Sequence, residues 1–346
     1  MPTITRVEYT SEPIVQRQRW VYWLKWLASV LLLGWLSLGV DWRGLAYGLG
    51  KELHTLYRWQ TLGWLGLYSA LYGLSLWLKL VRWQNWLQQA GVNLPISQVR
   101  AAFLNGVALN IVGVARMGDV GRAAQLSWQA PHLLPVVSGT ILREKLTDLL
   151  MLAGFTLTVW LGLYSAQLGQ FSAGLTAQQY DLFRLGLLAS VPVWYALGCV
   201  TLHPLGKWCQ NMPFIPTWLK TVLGASLTLR AFAPLTWLIW LVMGVSNGVI
   251  FLSLQSPLSW AFALWLSCGV LVAGFLAVVV SVTPANVGTH HAAVIFFLQQ
   301  SGLPLALALP YAVLAHLLPT VLPLLFAAIN LPFHQPFARP NQKGSG

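Results

Sequence analysis

Hydrophobic positions along this chain come in runs close to 20 residues, without the period-two alternation of an outer-membrane barrel. At 1.5 Å rise per residue, a run of that length crosses a bilayer as one helix. Full spans are predicted at 20–40, 60–80, 136–162, 183–202, 232–254 and 305–329. Two segments break this pattern. Ala101–Ala115 is too short to cross; it ends in ARMGDVG, after which RAAQLSW opens a second helix. The run 260–282 ends in SVTPANVGTHH and is followed by AAVIFFLQQSG. Each reads as a re-entrant hairpin of two short helices around a Gly/Pro break. GDVGRAAQL and VGTHHAAVI both set a polar residue directly before Ala-Ala, so Arg122 falls opposite His291. Irregular backbone at depth is tolerated only where it lines a cavity or packs inside protein, and paired broken segments in two halves point to a transport site. The fold expected is an all-α polytopic membrane protein with about six full spans plus two re-entrant hairpins, arranged as an inverted repeat. Counting 260–282 as a full span is the competing reading, and it rearranges the end of the chain.

Composition agrees with this class. The 346 residues are 57% hydrophobic and 8% charged, with a mean hydropathy of +0.65, against about 25% charged in soluble domains. Many of the 19 Trp stand at the ends of apolar runs, where amphipathic rings settle at headgroup level. The formal charge of +12 fits topology and anionic lipid, and no nucleic-acid partner is expected. The positive-inside rule puts the polar tail 1–19 (Arg6, Arg17, Arg19) and the tail 331–346 (Arg339, Lys343) in the cytoplasm, flanking a single transmembrane domain at 20–330. No cleavable signal is expected. Lys79 and Arg82 read as the cytoplasmic end of the second span, 84–100 and 203–230 as cytoplasmic connectors, and 41–59 and 163–182 (with Asp181) as external loops. Cys199, Cys209 and Cys268 have no metal or redox spacing. The motifs of nucleotide-binding and soluble hydrolytic enzymes are missing. No metal and no cofactor are expected.

Charge is concentrated between Asn105 and Asp148, which hold Asp119, Glu144 and Asp148 with Arg116, Arg122, Arg143 and Lys145. An ionisable residue at membrane depth costs roughly 2.5–3.5 kcal/mol, so seven unpaired ones would sum to about 20 kcal/mol. Such a cluster points to a buried polar site in which charges pair or face a wet cavity; the bland alternative is an ordinary cytoplasmic loop. In ARMGDVGR, Gly118 and Gly121 permit a tight break, and Arg116 and Arg122 offer donors suited to phosphate. Asp119 either caps the following helix or pairs with an arginine. Glu144 and Asp148, four apart, share one helix face and suit a cation, a proton or an anchoring role for the arginines. In TPANVGTHH, Pro284 and Gly288 end one helix, Thr289 is a candidate N-cap, and His290 and His291 can face the cavity of Arg122.

At these residues the chain resembles the flippase-like membrane family that also forms the transmembrane part of lysylphosphatidylglycerol synthetases. Asn110 with Arg116, Gly118, Asp119 and Arg122 matches an Asn helix followed by R-x-G-D/E-x-x-R. Glu144, Lys145 and Asp148 match E-R/K-x-x-D. Thr283, Pro284 and Gly288 match a late T-P-G-G-x-G-x-x-E break. The chain departs from that pattern at Ala285 and Asn286, which replace a Gly pair, and at His291, which replaces Glu. The resemblance spans roughly 15–330 and implies movement of a membrane phospholipid or lipid-linked glycan across the inner membrane. Fused members also carry a cytosolic aminoacyl-transfer domain, for which this chain has no polar block. The expected activity is translocation of an anionic or lipid-linked head group, with Arg116 and Arg122 on its phosphate. The alternatives are an integral-membrane transferase using Glu144 or Asp148 as base, and a scaffold whose partner is a cell-envelope glycosyltransferase.

Overall fold

The computed structural model describes residues 27, 59–112, 117–128, 130–167, 176–217, 220, 234–254, 256, 258–280 and 284–330. The expected span at 20–40, the loop 41–58, Arg116, Thr283 and both tails lie outside the described residues, apart from Leu27.

The described residues are helical, in chain order α1 (Trp59–Gln89), α2 (Ile96–Val112), α3 (Met117–Ser127), α4 (Leu134–Gln167), α5 (Ala177–Ala189), α6 (Val191–Asn211), α7 (Pro234–Ser253), α8 (Trp260–Val280), α9 (Thr289–Gln300) and α10 (Leu305–Asn330). Single 3-10 turns precede α4 (Pro131–Leu133) and α9 (Pro284–Asn286). Five helical segments are long and apolar enough to cross a membrane: Trp59–Gln89, Pro131–Tyr164, Pro234–Ser253, Trp260–Val278 and Leu305–Ile329. The chain is thus an all-α polytopic membrane protein.

The helices differ from the hydropathy reading in several places. α1 continues past Leu80 to Gln89 because its last turns bury Trp83, Trp86 and Leu87; Lys79 and Arg82 therefore stand inside a helix rather than at its end. The expected connector 84–100 shrinks to the turn between α1 and α2. The span expected at 183–202 is two helices that part at Ser190, two residues before Pro192, whose missing N–H weakens a continuous ladder. Asp181 is in α5 rather than a loop and pairs with Arg184 at 3.1 Å. α6 runs on to Asn211, through most of the first turns assigned to a connector. Trp260–Val280 has the length of a full span, which favours the competing count for that segment.

α1 packs chiefly on α7, and α2 lies against α3. α8 and α9 form a second helical pair, and α10 lies against both α9 and α2. A continuous apolar core of α1, α4, α6, α7, α8, α9 and α10 includes Trp240, Trp265, Phe251 and Tyr311. Proline-rich α10 contains Pro310, Pro319 and Pro323. Pro323 cannot donate to the Pro319 carbonyl four residues back; the Tyr72 hydroxyl of α1 donates to it instead, at 3.3 Å.

Candidate functional site

Close packing of α2 on α3 starts at two glycines. A Cβ at Gly118 would collide with the Gly106 carbonyl, and one at Gly106 would stand 2.9 Å from the Gly118 carbonyl. Gly118 therefore serves interhelical approach within α3. Gly121, also inside α3, faces Leu109 of α2. Asn110 ties the two helices together: its Oδ1 accepts the Gly118 N–H at 2.9 Å and its Nδ2 donates to Asp119 at 3.3 Å. One free amide at the start of α3 is thereby satisfied by protein.

Among the described residues Asp119 accepts no backbone N–H; it belongs to an ion-pair network. Arg122 donates through Nη1 and Nη2 to both Glu144 oxygens, each at 3.0 Å, and through Nη2 to Asp119 Oδ1 at 2.9 Å. Lys145 Nζ lies 3.1 Å from Asp119 and 3.3 Å from Glu144. The Arg122 guanidinium stacks 4.9 Å over Trp83 and its side chain is 3% exposed. This network joins α3 to α4. A second, separate pair joins α1 to α4 and α7: Arg82 grips both oxygens of Asp148, at 2.9 and 3.2 Å, and also reaches Thr236 at 3.1 Å. Trp240 Nε1 donates to Asp148 at 3.2 Å. Arg143 points elsewhere, donating to Gln89 at 3.2 Å and stacking 4.7 Å from Trp86.

Two adjoining cavity lobes sit beside these networks, of about 400 and 340 Å³. They share Tyr72, Lys79, Val107, Asn110, Phe275 and Val278 as walls. The first lobe is bordered by Asp119, Arg122, Glu144, Lys145 and Asp148, so the carboxylates four apart on α4 do face one space. Among the described residues, Arg122 with Lys145 balances Asp119 with Glu144, and Arg82 balances Asp148. Lys79, on the wall common to both lobes, has no ion pair or hydrogen bond within the described residues, and the described charges of the two networks and Lys79 sum to +1. A partly buried ammonium without a paired carboxylate is costly, and an anion beside it would lower that cost.

The second lobe is bordered by Asn247, Asn286, His290 and His316. Its corner is the turn after Pro284, where Ala285 and Asn286 adopt φ of 50° and 58°. Non-glycine residues pay for that left-handed conformation, Asn less than Ala. The turn directs the Ala285 carbonyl to His316 Nε2 at 2.8 Å. Gly288, φ 88°, occupies the N-cap of α9, a position expected for Thr289; Thr289 instead donates to the Asn286 carbonyl at 3.2 Å. His291 turns back to accept the Gly288 N–H at 3.4 Å and does not border either lobe.

The two breaks therefore meet across one space: Asn110, near the end of α2, borders the same lobe as Asn286 and His290. Lys79 as a cavity group and Arg82 as the partner of Asp148 went unrecognised in the sequence. The visible signal was two cations within four residues on an apolar helix, and their position near the end of a 20-residue run disguised it.

A family description, the lysylphosphatidylglycerol synthase TM region, matches residues 22–327. Comparison with curated proteins and with solved structures found no match. With the match covering most of its length, this chain belongs to the lysylphosphatidylglycerol synthase transmembrane, flippase-like family of membrane proteins.

Proposed function

We propose that the protein translocates a lipid with an anionic head group across the inner membrane, the head group travelling through the two-lobed cavity while the acyl chains stay in the bilayer. The observation that carries this reading is Lys79: a cation on the shared wall, unpaired among the described residues, beside networks whose other charges cancel. A phosphate there gains a charge-assisted hydrogen bond from Lys79 and faces Lys145, the most exposed cation of the neighbouring network at 33%. Arg122 plays a different part from the phosphate contact expected of it. Both its terminal nitrogens are committed to Glu144 and Asp119, so it holds the first hairpin on α4 and shapes the lobe.

The test is head-group translocation of tail-labelled anionic lipid in proteoliposomes. Losing a charge-assisted hydrogen bond costs about 1.5–3 kcal/mol, or roughly 10- to 150-fold at 1.4 kcal/mol per decade. Lys79→Gln is expected to slow transport by that factor and Lys79→Arg to restore most of it. Wild-type rates from Lys79→Gln, at equal reconstituted protein, count against the reading.

A further inference from the structure

Three imidazoles converge at the second break. The ring centroids of His290, His291 and His316 lie 6.0, 5.0 and 4.8 Å apart in pairs. Their hydrogen bonds set their protons. A carbonyl only accepts, so His316 Nε2 carries hydrogen towards Ala285 and its Nδ1 is the basic nitrogen. His291 Nδ1 accepts from the Gly288 amide, which leaves its hydrogen on Nε2. His290 Nδ1 is buried with no partner, and its ring borders the 340 Å³ lobe. Room for that ring comes from Gly274 of α8, where a Cβ would stand 3.0 Å from His290 Nε2.

The other titratable groups facing this lobe are Tyr68, Tyr72 and Lys79, all from α1. From α2, α7, α8 and the turn come amides and apolar side chains, and no carboxylate borders the lobe among the described residues. Burial and the neighbouring imidazoles oppose a proton on His290 and His291, and without an anion the charge of Lys79 on the same wall adds to that opposition. An anion at Lys79 cancels that addition. Since the imidazoles repel one another once charged, the cluster titrates as one unit and takes a single proton first.

We propose that the His290–His316 pair, with His291 behind it, is a proton-binding site coupled to the head-group site, so that one proton is taken up with each anionic head group and released with it. The proposal rests on the head-group reading above. Linkage is reciprocal: if the anion promotes protonation, protonation tightens the anion by the same factor. Coupling factors of this kind are about 5- to 150-fold.

The experiment measures the Kd of a short-chain anionic phospholipid for the purified full chain at pH 8 and pH 6. Wild type is expected to bind about tenfold tighter at pH 6, within that coupling range. His290→Gln and His316→Gln are expected to bring the ratio of the two Kd values close to one, whatever their absolute affinity. Two such variants guard against a folding defect in either, and each is checked for monodispersity. A pH-independent Kd in wild type overturns the proposal while leaving the head-group reading standing, as does a full pH effect in both variants. No binding at either pH overturns both. In proteoliposomes with a trapped pH dye, lipid-dependent proton movement in wild type that is lost in His290→Gln supports coupling; lipid movement without proton movement overturns it.

Discussion

Changing Asp148 to asparagine is nearly isosteric and removes one charge. In the native protein both Asp148 oxygens accept from Arg82, whose side chain is 1% exposed, and one also accepts from Trp240. Asparagine keeps one acceptor and puts an NH2 donor 3.2 Å or less from an arginine donor in either amide orientation. Arg82 is then a buried cation without a counter-charge, and breaking such a pair costs about 3–5 kcal/mol. Removing both partners has a different effect. Arg82→Met with Asp148→Leu eliminates the stranded charge, and replacing a buried ion pair by apolar residues is often neutral or stabilising by about 1–4 kcal/mol, which offsets the lost partners of Thr236 and Trp240 at about 1–3 kcal/mol each. The double variant should therefore be more stable than Asp148→Asn. The assay is the unfolding free energy from reversible SDS titration in mixed micelles, run as a double-mutant cycle. A cost below about 0.5 kcal/mol for Asp148→Asn, the size of an ordinary surface substitution, would refute the buried pair. So would a double variant costing the full sum of the two single changes.

Other expectations separate structural from binding roles. Arg122→Ala should lower the thermal midpoint of purified protein together with transport, because the hairpin loses its tie to α4; Lys79→Gln should lower transport with the midpoint unchanged, read by tryptophan fluorescence in detergent. Gly118→Ala should cost about 1–3 kcal/mol as overpacking, because the Gly106 carbonyl it meets is backbone and cannot turn aside; loss of monodispersity on gel filtration is the check. Tyr72→Phe strands the Pro319 carbonyl and should cost about 1–3 kcal/mol. Most of that should vanish in a Pro323→Ala background, where the substituted residue supplies the missing helical N–H; equal costs in both backgrounds would disprove the assignment.

Apolar length foretold the helices around 60–80, 136–162, 232–254 and 305–329, each run being long enough to cross a bilayer in spite of the charges at 143–148 and the three prolines within 305–329. Periodicity also placed Glu144 and Asp148 on one face. Their partners were harder to read: Arg82 is 66 residues from Asp148, and pairing at that separation leaves no local trace. α1 overran its expected end because its last turns bury tryptophans beside polar neighbours, a mixture hydropathy scores as a loop. The start of α5 did carry a signal. Thr176 and Gln179 form a capping box, and T-x-x-Q before an apolar stretch is its sequence signature. At Ala285 and Asn286, side chains in left-handed backbone concealed the turn that brings His316 to the second break.

The most direct measurement is an experimental structure in nanodiscs made with anionic phospholipid. The account predicts phosphate density about 2.7–2.9 Å from Lys79 Nζ, the span of a charge-assisted hydrogen bond, on the wall between the two lobes, with Arg122 still paired to Glu144. A cavity filled by acyl chains, with Lys79 paired to a carboxylate of the protein, would contradict it.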